Sequence, residues 1–163
     1  MILVAFTFFH VLLSLTGLAA GFVAISSLIK AKPTDRWTDV FLWTTLATSV
    51  TGFMFPVHRF MPSHGVGILS VIDLGFAHFA LYKHRLDGRW KRVFAISSVI
   101  ALYFNVFVAI AQCFEHIKAL KVLAPTQSEP PFLVAQLIAL VVFIALGVIA
   151  ERSARALSAT LSM

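Results

Sequence analysis

The sequence predicts an all-α, polytopic membrane bundle of five helices, N-terminus outside and C-terminus cytoplasmic. Three observations carry this. Of 163 residues, 60% are hydrophobic and 12% charged, about half the charged share of a soluble domain. The apolar residues gather into five runs, 2–29, 38–56, 65–82, 93–117 and 132–150, each near or above the roughly 20 residues that cross about 30 Å of hydrocarbon. The basic residues alternate between the connections. Lys30, Lys32 and Arg36, then Lys83, Arg85, Arg89, Lys91 and Arg92, then Arg152 and Arg155 fall on one side, leaving only Arg59, Lys118 and Lys121 for the other. That bias places the richer side in the cytoplasm. The net charge of +6 therefore reads as topology and interaction with membrane lipids, with no nucleic-acid partner.

Each element follows in order. The first run lacks a basic leader and exceeds the 7–15 apolar residues of a cleaved signal, so it reads as a retained span. Thr7, His10, Ser14, Gly17 and Gly21 recur at spacings of three and four, one stripe of a helix. Gly17 and Gly21 form a GxxxG element that admits another backbone, which turns the His10 face into protein. Ala-Lys-Pro-Thr-Asp-Arg at 31–36 ends this span, and Thr38 or Asp39 is placed to cap the next. The second run is rich in hydroxyls, Thr44, Thr45, Thr48, Ser49 and Thr51, suited to bonding carbonyls one turn back and to close packing; Pro56 ends it. The third carries Asp73 and His78, and Asp87-Gly88 supplies the turn after it. In the fourth, Ser98, Asn105, Gln112 and His116 make a polar strip. The single cysteine, Cys113, reads as a small buried hydrophobe. The prolines of 124–131 preclude continuous helix there. The fifth run holds Gln136 and reads as the most lipid-exposed helix. The whole chain, 1–163, is one integral membrane domain, since no connection exceeds 118–131.

The functional question lies in the polar residues within these runs. An ionisable group in hydrocarbon costs several kcal/mol, so it pairs, lines a cavity or holds a ligand. At 1.5 Å per residue, His10 and Asp73 both lie about 12 Å from the outer boundary, level with one another if spans one and three are neighbours. Gln112, Gln136 and His116 lie in the same outer half, with His58, Arg59, His64 and Glu115 at the rim. One reading is haem b- or quinone-linked electron transfer. His10 and His78 then ligate a buried haem iron, Asp73 orients His10, and Asn105, Gln112 and His116 lie about the cofactor. His64 and His78 are 14 residues apart, a spacing similar to the paired-haem helices of b-type cytochromes, but no second helix carries a matching pair. No CxxCH occurs, which excludes c-type attachment. A second reading is a non-catalytic accessory or assembly subunit, partnered by other membrane subunits or a homo-oligomer, with the polar residues as interhelical glue. A third is proton-coupled transport through Asp73 and His10. His58, His64, Glu115 and His116 also make a candidate rim site for copper or zinc, and Arg59 a candidate partner for Glu115 or Glu129. No nucleophile–base set or phosphate loop occurs, so no catalytic residue is assigned.

Three segments, 37–52 (WTDVFLWTTLATSVTG), 101–108 (ALYFNVFV) and 124–132 (APTQSEPPF), resemble a family of small bacterial inner-membrane proteins without an assigned activity. The likeness covers most of the chain. It implies the bacterial inner membrane and carries over no ligand or catalytic residue.

Overall fold

A computed structural model describes residues 1–30, 35–55 and 62–160. The described chain is helical with short connections: α1 (Ile2–Ile29), α2 (Arg36–Gly52), α3 (Pro62–His78), α4 (Trp90–His116), α5 (Lys118–Leu123) and α6 (Pro130–Thr160). Helices dominate because an apolar medium requires every backbone N–H and C=O to be satisfied within its own segment. Four helical stretches are long and apolar enough to cross a membrane: Ile2–Ile29, His64–Lys83, Trp90–His116 and Pro130–Arg155.

α2 differs from these four. It has 17 residues, about 26 Å at 1.5 Å each, shorter than the expected run 38–56. It starts earlier than expected because Asp35, not Thr38 or Asp39, is the cap. The extended backbone of Asp35 places its carboxylate to accept from the N–H of Trp37 (3.1 Å) and Thr38 (3.2 Å), two of the orphan donors of a first turn. Asp39 instead accepts from the Tyr82 hydroxyl at 2.7 Å. The helix gives way to a turn over Phe53 and Met54; the expected stop at Pro56 lies outside the described residues.

α3 runs into a π-helical turn, Phe79–Lys83, and the chain then reverses. The expected Asp87-Gly88 turn is present, with Gly88 at φ 48°, and Arg85 and Leu86 are also left-handed at φ 47° and 59°. A non-glycine residue there costs roughly 1–2 kcal/mol. The reversal is held by Leu86 packed on the core and by the His84 ring stacked on Trp90, centroids 3.9 Å apart. α5 forms within a stretch expected to be loop, and α6 extends past residue 150. The extension is stabilised because Ala150 and Ala154 are buried and Ser153 donates to the Ile29 carbonyl at 2.9 Å.

The helices alternate in direction. α2 packs along α1 and along α3, while α4 packs against α1, α3 and α6. Ser27–Asp35 and His10–Thr51 mark the two ends of the α1/α2 pair. Gln136–Phe107 and Glu151–Arg92 mark those of α6/α4. Consequently the C-terminus of α1, the N-terminus of α2, the 84–89 reversal and the end of α6 share one end of the bundle. The α4–α6 connection lies at the other.

α4 is the central helix, with 39% of its most apolar window buried, against 17% for α6 and 6% for α1. This corrects the expectation that the last run is the most exposed; α1 is. The core forms where small residues allow approach. A Cβ on Gly21 would come 2.6 Å from Leu102 and 2.8 Å from Phe41, and one on Gly17 3.1 Å from the Thr44 hydroxyl. Phe41, Leu42 and Leu102 are fully buried around this contact.

Candidate functional site

The candidate site is a polar seam along α2 and its neighbours. The seam exists because the hydroxyls of α2 fall on two faces. Thr44 and Thr51 return their hydroxyls to the carbonyls of Val40 and Ala47, at 2.6 and 2.7 Å, as expected. The same residue types also bridge helices. Thr51 Oγ1 meets His10 Nδ1 of α1 at 2.8 Å. Ser49 meets Ser70 of α3 at 3.1 Å. Thr45, fully buried, accepts from Asn105 Nδ2 of α4 at 3.0 Å.

The expected His10–Asp73 unit is not formed. α1 and α3 each pack on α2 and share no substantial face with one another, so the two side chains have different partners. His10 is half-buried against Thr51 and the edge of Phe55. Asp73 faces α4, with Ser97 as its hydrogen-bonding side chain and Oδ2 buried without a partner. No cation lies within ion-pair distance of Asp73 among the described residues.

His10 and His78 do not share a face either. His78 packs on Trp43 (centroids 4.9 Å) and Tyr82 (5.6 Å), whereas His10 meets Thr51, eight residues and about 12 Å further along α2. The His78 ring is nevertheless oriented. Its Nδ1 lies 2.9 Å from the Leu74 carbonyl, and because a carbonyl only accepts, Nδ1 carries the proton. Nε2 is left as an acceptor, buried without a partner.

The α4 strip divides. Ser98 and Asn105 point inward, but Gln112 and His116 are exposed near the helix end, joined by His116 Nδ1 and the Gln112 carbonyl at 3.1 Å. Cys113 is exposed rather than buried; the neighbouring Phe114 turns inward instead, onto Ala124 and Phe132. The rim residues also separate. Glu115 pairs with Lys121 at 2.7 Å, both about half exposed, and water screens a pair so hydrated. His64 packs on Phe53. His58 and Arg59 lie outside the described residues. No three His, Cys, Asp or Glu side chains gather as a metal site among the described residues. Glu129, the other expected partner for Arg59, turns back on its own loop and accepts from Thr126 and Ser128. Partial dehydration pulls its carboxyl upward, but the bonds from Thr126 and Ser128 outweigh this and hold it below the ordinary glutamate range.

Gln136 is buried as expected and donates to the Phe107 carbonyl at 3.1 Å, tying α6 to α4. The sequence reading missed Ser70, Ser97 and Gln127, the last donating to the Ala111 carbonyl at 3.0 Å from a left-handed backbone. Ser70 lies three residues before Asp73 in the sequence, and that spacing was the available signal. No family model, curated protein or solved structure matches the chain.

Proposed function

We propose that this chain is a five-span protein of the bacterial inner membrane, N-terminus outside, serving as a non-catalytic accessory or assembly subunit of a larger membrane complex. The observation supporting this is how the polar side chains are distributed. Those of His10, Asn105 and Gln136 are each used in one bond to a neighbouring helix, and Ser49 bonds Ser70 of α3 besides the Thr45 carbonyl of its own helix, each at a different level. Such bonds lock helices in register and contribute about 0.6–2 kcal/mol each. Chemistry on a small molecule needs polar groups converging on one cavity. The five-span count rests on α2 running antiparallel between α1 and α3. The orientation rests on the ends that share the basic residues.

One observation favours a second reading, a redox ligand at His78: its Nδ1 is bonded to a backbone carbonyl and its Nε2 is left as an acceptor, the arrangement of a metal-ligating imidazole. A dithionite-reduced minus air-oxidised spectrum of the purified protein separates the two. The accessory reading expects a flat visible spectrum, and migration in native gels within an assembly that fails to form when the chain is deleted. A stoichiometric b-type band lost in His78→Ala would overturn it and establish the redox reading. Topology is tested with Cys113, exposed near the outer end of α4. A membrane-impermeant maleimide applied to spheroplasts should label it and should not label Arg89→Cys in a Cys113→Ala background; the reverse pattern inverts the orientation.

A further inference from the structure

A groove of about 260 Å³ opens on the side of the bundle between α1, α4 and α6, lined by Phe22, Ile25, Ser26 and Ile29 with Leu102 and Leu146, and Lys30 stands at its mouth. It occupies the inner half of α1, where Phe22 lies about 12 Å from Lys30 along the helix axis. Two polar groups on its edge differ from the rest of the helix. Thr7, Ser14 and Thr16 return their hydroxyls to carbonyls one turn back, and Ser27 faces Asp35. Ser26, one turn before Lys30 on the same face, makes no side-chain hydrogen bond among the described residues. Lys30 makes no ion pair among them either. Elsewhere at that end, the Glu151 carboxylate is engaged by Arg92 and Arg155, so it does not neutralise Lys30.

We infer that this groove holds one acyl chain of an anionic phospholipid, with the phosphate received by Ser26 Oγ and Lys30 Nζ. The inference rests on the membrane reading above. The apolar walls suit a hydrocarbon chain, and the free hydroxyl and ammonium at the mouth match a phosphate monoanion in charge and in donors. Basic residues between helices at the cytoplasmic boundary recognise anionic headgroups in this way. A neutral phospholipid offers the same chain but carries its own cation, which Lys30 repels.

The test places the full chain in nanodiscs of equal phosphatidylcholine and phosphatidylglycerol and counts the lipids retained on release by native mass spectrometry. One phosphatidylglycerol per chain is expected in preference to phosphatidylcholine. Lys30→Gln should lower that preference roughly fivefold, the effect of one basic residue at an anionic surface, and Lys30→Arg should restore it. Ser26→Ala should weaken it less, and Lys118→Gln, at the opposite end, should leave it unchanged. Equal retention of the two lipids by the wild type, or an undiminished preference in Lys30→Gln, overturns the proposal while the membrane reading stands. Failure of the chain to enter the nanodisc instead overturns the membrane reading itself.

Discussion

The two halves of α1 are alike in hydrophobicity and opposite in burial. Residues 2–16 include Phe8, Leu12 and Leu15, and none of them is buried. Gly17, Ala20, Gly21, Ala24 and Ile25 are. In water this would be perverse, because the larger side chains would gain most from burial. In hydrocarbon it is expected, because lipid solvates leucine as well as protein does, and packing is decided by how closely backbones approach. The first half meets the bundle through Phe6 on Phe55 and His10 on Thr51; the second interlocks with Phe41 and Leu102.

This difference is testable by substitution. The largest effect belongs to Gly21→Leu. Even a Cβ there lies 2.6 Å from Leu102, so the whole side chain requires the helices to part. A loss of about 1–3 kcal/mol is expected from overpacking, read as reduced resistance to unfolding in mixed detergent micelles. A Gly21→Leu protein as stable as wild type would remove the close-approach account. Next is the seam. Asn105→Leu and Thr45→Val should each weaken the fold by about 0.6–2 kcal/mol, and the double variant should cost less than the two together, since one bond is lost in all three. Strict additivity would mean that Asn105 and Thr45 are not bonded. The pair holding the looser half, His10 and Thr51, should show smaller coupling in the same cycle, because His10 is only half-buried. Smallest of all, Leu15→Ala on the exposed face of the first half should stay within about 0.5 kcal/mol of wild type.

A pH experiment extends the contrast to the connection before α6. Hydrogen bonds from Thr126 and Ser128 hold the Glu129 carboxyl below its ordinary range. A group whose pKa is depressed by folding contributes stability that is present above its unfolded pKa and lost as the pH falls through the folded one. Amide-exchange protection at Thr126 and Ser128, measured relative to the intrinsic rate at each pH, should therefore be present at neutral pH and fall in acid, while protection at Phe41 and Leu102 is unaffected. Glu129→Gln should remove the pH dependence.

Much of the fold was legible. The Gly17/Gly21 contact, the inward face of Asn105 and the burial of Gln136 each followed from a polar or small residue in an apolar run, where the cost of exposure leaves few alternatives. The pairing of those residues was not legible. His10 and Asp73 are equally deep, and depth was all that spacing gave; which helix stands beside which is not encoded in either residue. The α2 cap was misplaced by a few residues because Asp35, Thr38 and Asp39 are all capping types, and only the extended backbone at Asp35 selects among them. An apolar run by itself puts Cys113 and Gln112 inside, but at that end of α4 the face that packs is the one carrying Phe114, on Ala124 and Phe132.

The sequence by itself determined that the chain is helical, that its apolar residues gather in long runs, five by its own reading against four helices long and apolar enough to cross a membrane in the structure, and that its cations gather in alternate connections, because these depend on local composition and on the rule that backbone groups in hydrocarbon bond within their own segment. Only the tertiary structure decided that α2 lies between α1 and α3, that His10 is given to Thr51 and Asp73 to Ser97, and that Ser26 and Lys30 stand over an open groove. Those depend on shape, on which pairs of helices carry small residues at the same height, and shape is a property of two surfaces rather than of one strand of sequence.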